Sequence, residues 1–128
     1  MKTTDMPSSG ADLAVHDQAA ALEYAGGDAE LAADLMAALL DGLPDEIESL
    51  KACLAESDWP GLAEYAHQVR GATSYCGVPA LDAAMSALER AARVGDPARC
   101  RTGFDAVLLH TAKLFALFKT PGDLTPDT

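Results

Sequence analysis

Apolar residues recur along most of the chain at steps of three and four, the spacing that places side chains on one face of an α-helix. The longest such stripe consists of Leu31, Leu35, Leu39, Leu43, Ile47, Leu50 and Leu54. Asp28 precedes the stripe and is expected to cap this helix, because its carboxylate can accept a hydrogen bond from a free backbone N–H group. Pro44 lies inside the stripe and predicts either a kink or two abutting helices there.

Turn-forming residues mark four further helices. Their predicted spans are 17–25, 59–75, 79–94 and 97–119. Asp17, Asp58 and Asp96 are placed to cap three of them. Pro79 fits the first turn of the helix 79–94, where its missing N–H costs nothing. Glycines suited to a left-handed C-terminal position follow at Gly26, Gly27, Gly77 and Gly95.

The three later helices each have an apolar face that is expected to be buried. The expected core residues are Leu62, Ala66, Val69, Thr73 and Cys76, then Leu81, Met85, Leu88 and Ala92, and finally Phe104, Val107, Leu108, Leu114, Phe115 and Phe118. Tyr75 is expected to pack beside Cys76, and Trp59 to cover the loop after Asp58. Four substantial helices with short connections predict an antiparallel up-down four-helix bundle, preceded by a short extra N-terminal helix.

The composition also indicates an all-α fold. The chain has 128 residues, enough for one domain with its own core. Ala and Leu are frequent, whereas Val is rare and Ile occurs once, so the residues that favour strands are nearly absent. The bundle domain is predicted to span 12–120, between a flexible arm at 1–11 and a flexible tail at 121–128.

The charge balance excludes several classes of function. The 9 Lys and Arg against 20 Asp and Glu give a net charge of -11, so the protein repels nucleic-acid backbones and anionic membranes. No apolar run approaches the length of a membrane span, and residues 1–11 lack the apolar centre of a secretory signal. Cys53, Cys76 and Cys100 lie far apart, which indicates reduced thiols in a cytoplasmic protein. Polar helix faces favour a monomer.

One polar residue of the helix 59–75, His67, lies off the predicted core face. At ~100° per residue, His67 points well away from Leu62 and towards the rim of the bundle. The residues expected on the same side are Ala63, Arg70, Gly71 and Ser74. A single histidine on a helix is usually no more than a tolerated polar residue, so its surroundings decide its role.

Glu89 is the expected partner of this histidine. His67 and Glu89 are equally far along the chain from Val78, at the turn between two antiparallel helices, so they are expected at the same height. A carboxylate there can accept the Nδ1–H of the imidazole, fix its tautomer and leave Nε2 as a free lone pair. A nucleophilic histidine needs this arrangement. Glu89 and Arg93 also have the i,i+4 spacing of a helix ion pair, and both interactions can form at once.

Two further residues suit an accessible nucleophile. Glycine within a helix costs about 1 kcal/mol relative to alanine, yet Gly71 lies one turn after His67 on the same side, where it leaves room for a partner. Close helix packing is the alternative explanation, but Gly71 is expected to face away from the core. Arg70 adds a permanent cation that can bond phosphate oxygens through two donors, beside any anion carried on Nε2.

The run HQVRGATSYCGVP at 67–79 resembles the signature of histidine-containing phosphotransfer (HPt) domains. Its ending is similar to the HPt modules of BarA/GacS-class hybrid sensor kinases, and the resemblance covers about residues 13–118. The resemblance implies that His67 accepts a phosphoryl group and that Arg70 and Gly71 are the family's basic residue and glycine. Glu89 matches the position that hydrogen-bonds the histidine. Gln68 departs from the lysine frequent in the family, which leaves fewer positive charges near the phosphate.

The resemblance also implies the reaction and the partners. The chain is expected to be a stoichiometric phosphocarrier of a two-component multistep phosphorelay, and no enzyme. His67 takes the group from a receiver-domain aspartate of a hybrid histidine kinase and passes it to the receiver domain of a response regulator. No cofactor is expected on this chain, because Mg²⁺ belongs to the receiver domain. Docking is expected on the rim around His67, with apolar edges such as Val78.

Three alternatives remain at this point. A helical bundle that binds and regulates a kinase or receiver without phosphorylation keeps the fold, but would usually lose His67, Gly71 or the cation. A di-iron carboxylate bundle needs paired Glu-x-x-His motifs facing inward, and His16, His67 and His110 show no such pairing. A hydrolase that uses His67 with Glu89 lacks a nucleophilic Ser or Cys at a strained turn.

Overall fold

The structure is a computed structural model that describes residues 13–118, all of its regular elements being helices. The helices are α1 (Gln18–Tyr24), α2 (Ala29–Ala55), α3 (Trp59–Thr73), α4 (Pro79–Val94) and α5 (Pro97–Phe118). The all-α fold class and the five predicted helices are therefore confirmed. The predicted arm at 1–11 and tail at 121–128 lie outside the described residues.

Aspartate caps begin the helices where the sequence predicts them. The side chains of Asp17, Asp28 and Asp58 each accept a hydrogen bond, at 3.0 Å, from the backbone N–H three residues further on. Asp96 does the same for Arg99 at 3.2 Å. Because each cap satisfies a donor that the helix itself leaves free, these local contacts determine where the helices start.

The structure differs from the sequence-based expectation at two helix boundaries, Pro44 and Gly77. α2 continues through Pro44 as one helix, so the alternative of two abutting helices is wrong. α3 ends at Thr73 with Ser74 as its C-cap, so Gly77 is not the C-terminal residue of that helix. Gly77 has a positive φ of 70° in the turn before α4, and its carbonyl accepts from the N–H of Asp17 at 2.8 Å. This glycine therefore joins α1 to the α3–α4 turn.

Helices α2 to α5 form the predicted four-helix bundle. Each contacts its neighbour in the order α2, α3, α4, α5, and α5 closes the ring against α2. Within the described residues no Cα atom of α2 lies within 8 Å of α4, nor one of α3 within 8 Å of α5, so the diagonal helices are separated by the shared core. α1 packs on α2. The α3–α4 hairpin, whose connection is only 74–78, holds the two helices side by side along their length.

The core follows the predicted faces in α3 and α4. It departs from the predicted faces of α2 and α5 at three residues, Leu31, Leu108 and Phe118, the last of which is 36% exposed at the end of α5. All five residues predicted for the core face of the helix 59–75 and all four predicted for α4 are buried, although Cys76 lies beyond the end of α3. Leu108 is 40% exposed because it lies ~100° around α5 from the buried Val107, and His110 and Thr111 take part in the buried face instead. Leu31 is also exposed, since steps of four residues rotate the stripe by ~40° each time and carry it off the buried face.

The remaining predictions about packing have mixed outcomes. Cys53, Cys76 and Cys100 are buried free cysteines. Tyr75, predicted to pack beside Cys76, is 41% exposed, so that prediction is wrong. Trp59 is half-buried and packs against the core. Among residues 13–118, no helix combines the length and the apolar character needed to cross a membrane.

Candidate functional site

His67 projects from the outer face of α3. Its side chain is 61% exposed, while Leu62, Ala66 and Val69 of the same helix are buried in the core. The rotation of the helix thus places the imidazole at the rim, as its position relative to the core face predicts. The ring is open to an approaching partner.

Glu89 of α4 lies level with His67, which confirms the predicted register of the hairpin. Its Oε2 is 3.1 Å from Nδ1 of His67, and its side chain is only 10% exposed. A carboxylate can only accept hydrogen bonds, so Nδ1 is the nitrogen that carries the proton in this pair. Nε2 then has a lone pair directed away from Glu89, available as a nucleophile or a proton acceptor.

Two arginines bind the same carboxylate. Arg93 donates to Oε2 of Glu89 through Nη2 at 2.7 Å and through Nε at 3.1 Å. Arg70 donates to Oε1 through Nη1 at 3.1 Å. The i,i+4 pair of Glu89 with Arg93 and the contact of Glu89 with His67 therefore form together, as the sequence allowed.

These contacts keep Glu89 ionised. Burial raises the pKa of the Glu89 carboxyl, but hydrogen bonds from Arg93 and Arg70, followed by the charge and hydrogen bond of His67, outweigh burial and lower it below its ordinary value. The result follows from opposite charges and donors at contact distance, which favour the charged form. Glu89 thus serves as an acceptor for His67 over the neutral pH range.

Arg70 is engaged in the free protein. It was predicted as a cation beside Nε2, whereas the structure places its guanidinium on Glu89. Its Nε is buried, has no hydrogen-bond partner in the part of the chain that the structure describes, and lies 4.0 Å from Oδ1 of Asp82. Asp82 itself accepts from the hydroxyl of Thr73 at 2.7 Å. A role of Arg70 towards an anion on Nε2 therefore requires its side chain to turn.

Gly71 leaves open space beside the imidazole. It is exposed, and a Cβ built on it would meet no atom of residues 13–118 within 4 Å. Close packing against another helix therefore does not explain this glycine. Gln68 and Ser74 are exposed on the same part of α3, and Glu64 places an exposed carboxylate one turn before His67.

Two residues predicted to lie on this surface do not. Ala63 is buried, because α3 packs against α4 on that side and Ala63 lines a hollow with Ala92 and Arg93 of α4. Val78, predicted as an apolar edge of the docking surface, is only 1% exposed, because it precedes α4 as its N-cap and packs into the core. Val78 cannot contact a docking partner in this conformation.

The sequence did not identify the full set of contacts around Glu89. Arg93 was interpreted as a simple helix pair, although it is the residue with the most hydrogen bonds to the carboxylate. Its spacing from Glu89 was the available signal. Within residues 13–118 no three His, Cys, Asp or Glu side chains are grouped as metal ligands, so the di-iron alternative finds no ligand set in the part of the chain that the structure describes.

Comparison with known proteins relates the chain to sensor kinases. The protein named Sensor histidine kinase GacS, from Pseudomonas protegens, is 45% identical over 83 residues, which are 65% of this chain and 9% of that protein. Sensor protein GacS from Pseudomonas syringae pv. syringae is 41% identical over 75 residues, 59% of this chain and 8% of that protein. Signal transduction histidine-protein kinase BarA from Shigella flexneri is 33% identical over 75 residues, with the same coverage of 59% and 8%.

The chain spans less than a tenth of the length of these curated relatives. No solved structure matches it significantly. The family model described as Hpt domain matches residues 34–116, which include His67, Arg70, Gly71 and Glu89. Since this match extends over more than half of the chain, the protein belongs to the Hpt domain family of histidine phosphotransfer modules, which act in two-component phosphorelays.

Proposed function

We propose that His67 is the phosphoacceptor of this module, taking a phosphoryl group from a receiver-domain aspartate and passing it to the receiver domain of a response regulator. One observation carries the proposal. The imidazole is exposed, while its Nδ1 is bonded to the buried carboxylate of Glu89 at 3.1 Å. This pairing provides an unprotonated Nε2 on the surface, and a nucleophilic histidine requires such a nitrogen.

In the transfer step one bond forms and one breaks, and no proton has to leave the reacting nitrogen, Nε2. The lone pair of Nε2 of His67 forms a bond to phosphorus, and the bond from phosphorus to the aspartate oxygen breaks, with its electron pair staying on the aspartate carboxylate. The proton on Nδ1 stays on the ring and remains hydrogen-bonded to Glu89. The ring gains positive charge, which the Glu89 carboxylate neutralises. Passing the group on breaks the N–P bond and returns its electron pair to Nε2.

Arg70 and Gly71 support this reaction in different ways. Arg70 is one helical turn from His67, and its unpartnered Nε gives it a donor for a phosphoryl oxygen. Gly71 exposes open space next to the imidazole, which allows the surface of a receiver domain to approach the ring. The docking surface then comprises the exposed residues Gln68, Gly71, Ser74 and Tyr75.

The partners follow from this chemistry. A receiver domain of a hybrid histidine kinase is the proposed donor, and the receiver domain of a response regulator is the proposed acceptor. The names of the relatives, which are sensor kinases, support this assignment. Mg²⁺ would be held by the receiver domain, and the proposal assigns this chain no cofactor and no turnover of its own, consistent with a monomeric carrier.

A phosphorylation-independent interaction module is the second candidate. It would bind a kinase or receiver through the same helical surface and would have no need of an exposed imidazole. The polarised His67–Glu89 pair and the open space at Gly71 favour the carrier function. The two candidates differ in whether the protein becomes phosphorylated.

Incubation with a phosphorylated receiver domain tests the proposal. We expect the wild-type chain to gain a label that is lost in acid and retained in alkali, as for phosphohistidine. His67→Gln should gain none, whereas His16→Gln, at a histidine packed on Phe118, should be labelled like wild type. Labelling of the His67→Gln variant would contradict the assignment. Binding of the receiver without any label would favour the interaction module.

A further inference from the structure

The hydrogen bonds around Glu89 are distributed unequally between its two oxygens. Oε2 accepts from Nδ1 of His67 and from both Nε and Nη2 of Arg93. Oε1 accepts only from Nη1 of Arg70. Arg93 therefore binds the same oxygen as the histidine and does so through two donors, one of them at 2.7 Å. The position of that oxygen depends on Arg93 more than on Arg70.

Arg70 is the more easily released of the two arginines. It makes one hydrogen bond to Glu89 at 3.1 Å, and its Nε has no hydrogen-bond partner among residues 13–118 and lies 4.0 Å from Oδ1 of Asp82. A phosphoryl group on Nε2 of His67 would offer Arg70 a stronger acceptor with two or more oxygens. Once Arg70 turns towards that group, Glu89 would lose one of its two cations.

We propose that Arg93 is a positioning residue for the transfer reaction, which holds Glu89 as a carboxylate facing Nδ1 of His67 both before transfer and after Arg70 has turned to the phosphoryl group. This inference rests on the proposed function of His67. Arg93 does not touch the reacting nitrogen. It acts through Glu89, whose oxygen it shares with the imidazole.

The charge state of the pair decides whether His67 reacts. The reactive form has a neutral ring with its proton on Nδ1 and an ionised Glu89. One added proton on the ring gives an imidazolium, whose Nε2 carries that proton and has no lone pair to attack phosphorus. A guanidinium at 2.7 Å from the shared oxygen opposes that proton.

The groups facing Glu89 come from two helices. α3 contributes His67 and Arg70, with Asp82 of α4 behind Arg70. α4 itself contributes Arg93. α5 also packs against α4, but it makes no ion pair with Glu89 within residues 13–118. Removal of Arg93 thus takes away one of two cations on the carboxylate and leaves a negative group, Asp82, nearby. Proton uptake by the pair becomes easier.

The chain offers a matched control on the same helix. Arg90 is exposed like Arg93, but its Nη1 donates to the hydroxyl of Ser86 at 2.7 Å and it makes no bond to Glu89. Arg90→Ala therefore removes the same charge from α4 without touching the site. Both arginines are exposed, so neither substitution opens a cavity in the core.

The experiment measures the rate of phosphoryl acceptance from a phosphorylated receiver domain between pH 5.5 and 8.5, for wild type, Arg93→Ala, Arg93→Lys and Arg90→Ala. For Arg93→Ala we expect the acidic limb of the profile to move to higher pH by ~0.5–1 unit, a loss of about three- to tenfold in rate on that limb. Arg93→Lys should restore part of the shift, and Arg90→Ala should match wild type.

Each result is decisive. An unmoved acidic limb in Arg93→Ala would overturn the inference even if thermal stability fell, because a purely structural role does not change the protonation of the pair. An equal shift in Arg90→Ala would also overturn it, by showing a general effect of charge. If the wild type itself gains no label, the proposed function of His67 fails instead, so the two failures are distinguishable.

Discussion

Nδ1 of His67 and Oε2 of Glu89 lie 3.1 Å apart although the two residues are separated by 22 positions in the chain. The contact depends on the register of the α3–α4 hairpin, since both residues must lie at the same height on adjacent helices. The short turn at 74–78 determines that register. The site is thus a property of one hairpin, supported by the rest of the bundle.

The first prediction separates the charge of Glu89 from its hydrogen bond. Glu89→Gln keeps an oxygen that can accept from His67, whereas Glu89→Ala keeps none and leaves Arg93 and Arg70 without their acceptor. We expect acceptance of the phosphoryl group to fall about tenfold in Glu89→Gln, because the neutral amide no longer stabilises the positive charge that the ring gains. This loss corresponds to about 1.4 kcal/mol. The loss should be larger in Glu89→Ala. The free energy of unfolding of Glu89→Ala should fall by about 1–3 kcal/mol.

Rates from a phosphorylated receiver and urea unfolding test this first prediction. Glu48→Gln is the control, because Glu48 is an exposed carboxylate on α2, a different helix from the one that bears His67. Wild-type rates in both Glu89 variants would show that the carboxylate does not assist His67.

The second prediction separates stability from transfer at Gly71. A methyl group there meets no atom within 4 Å, so Gly71→Ala should raise the free energy of unfolding by up to about 1 kcal/mol, the difference in helix propensity. The same methyl group projects into the space that a receiver domain must occupy, so phosphoryl acceptance should fall. Gly42→Ala in α2, which also meets nothing within 4 Å, controls for the gain in stability. A variant that is more stable and transfers as fast as wild type would contradict the role of this glycine.

The parts of the fold that local chemistry determines could be predicted from the sequence. Each aspartate cap and the left-handed Gly95 depend on residues within one turn, and the structure shows them where expected. The pairing of His67 with Glu89 could also be predicted, because a short turn leaves little freedom in the register of the hairpin. These local rules were sufficient to predict the pair of His67 and Glu89 at the centre of the site.

Contacts that depend on which helix covers which face could not be predicted in this way. Ala63 lies at the border of the buried face of α3, and only the position of α4 decides that it is covered. Val78 is a loop residue that packs inward at the start of α4. Arg70 has a long side chain with several possible acceptors, and its choice of Glu89 depends on the three-dimensional arrangement of charges. Propensity and periodicity contain no information on these points.

The third prediction concerns acid stability and a histidine remote from the site. Burial, and then the charge of Lys113, lower the pKa of His110 from its ordinary 6.5. The unfolded chain therefore binds a proton at this residue at a higher pH than the folded chain does. The free energy of unfolding should consequently fall as pH falls below about 6.5, until the folded form is protonated as well. Nδ1 of His110 has no hydrogen-bond partner among the described residues, so no acceptor stabilises the charged ring.

Urea unfolding of wild type and His110→Leu between pH 7.5 and 5.5 tests this third prediction. The variant should lose part of the pH dependence, and His16→Gln should keep it. An unchanged slope in His110→Leu would show that His110 does not contribute to the acid sensitivity of the fold.

The last prediction concerns how α1 is attached to the site-bearing hairpin. Gly77 has a φ of 70°, and a Cβ there would lie 2.5 Å from the carbonyl oxygen of Asp17 and 2.8 Å from the Cβ of Ala21. Gly26 has a similar φ of 69° with nothing within 4 Å. Alanine at Gly26 should therefore cost only the backbone strain, about 1 kcal/mol. Alanine at Gly77 adds a clash with backbone atoms that cannot move without displacing α1, so its cost should be about 2–4 kcal/mol.

Urea unfolding of the two variants measures this difference, and hydrogen exchange at the N–H of Asp17, which donates to the carbonyl of Gly77, reports on the attachment of α1. That N–H should exchange faster in Gly77→Ala than in wild type. In Gly26→Ala it should exchange at the wild-type rate. Equal losses of stability in both variants would mean that backbone strain at positive φ accounts for the whole cost of alanine at both positions. In that case the close approach of α1 to the α3–α4 turn would make no energetic contribution to the bundle.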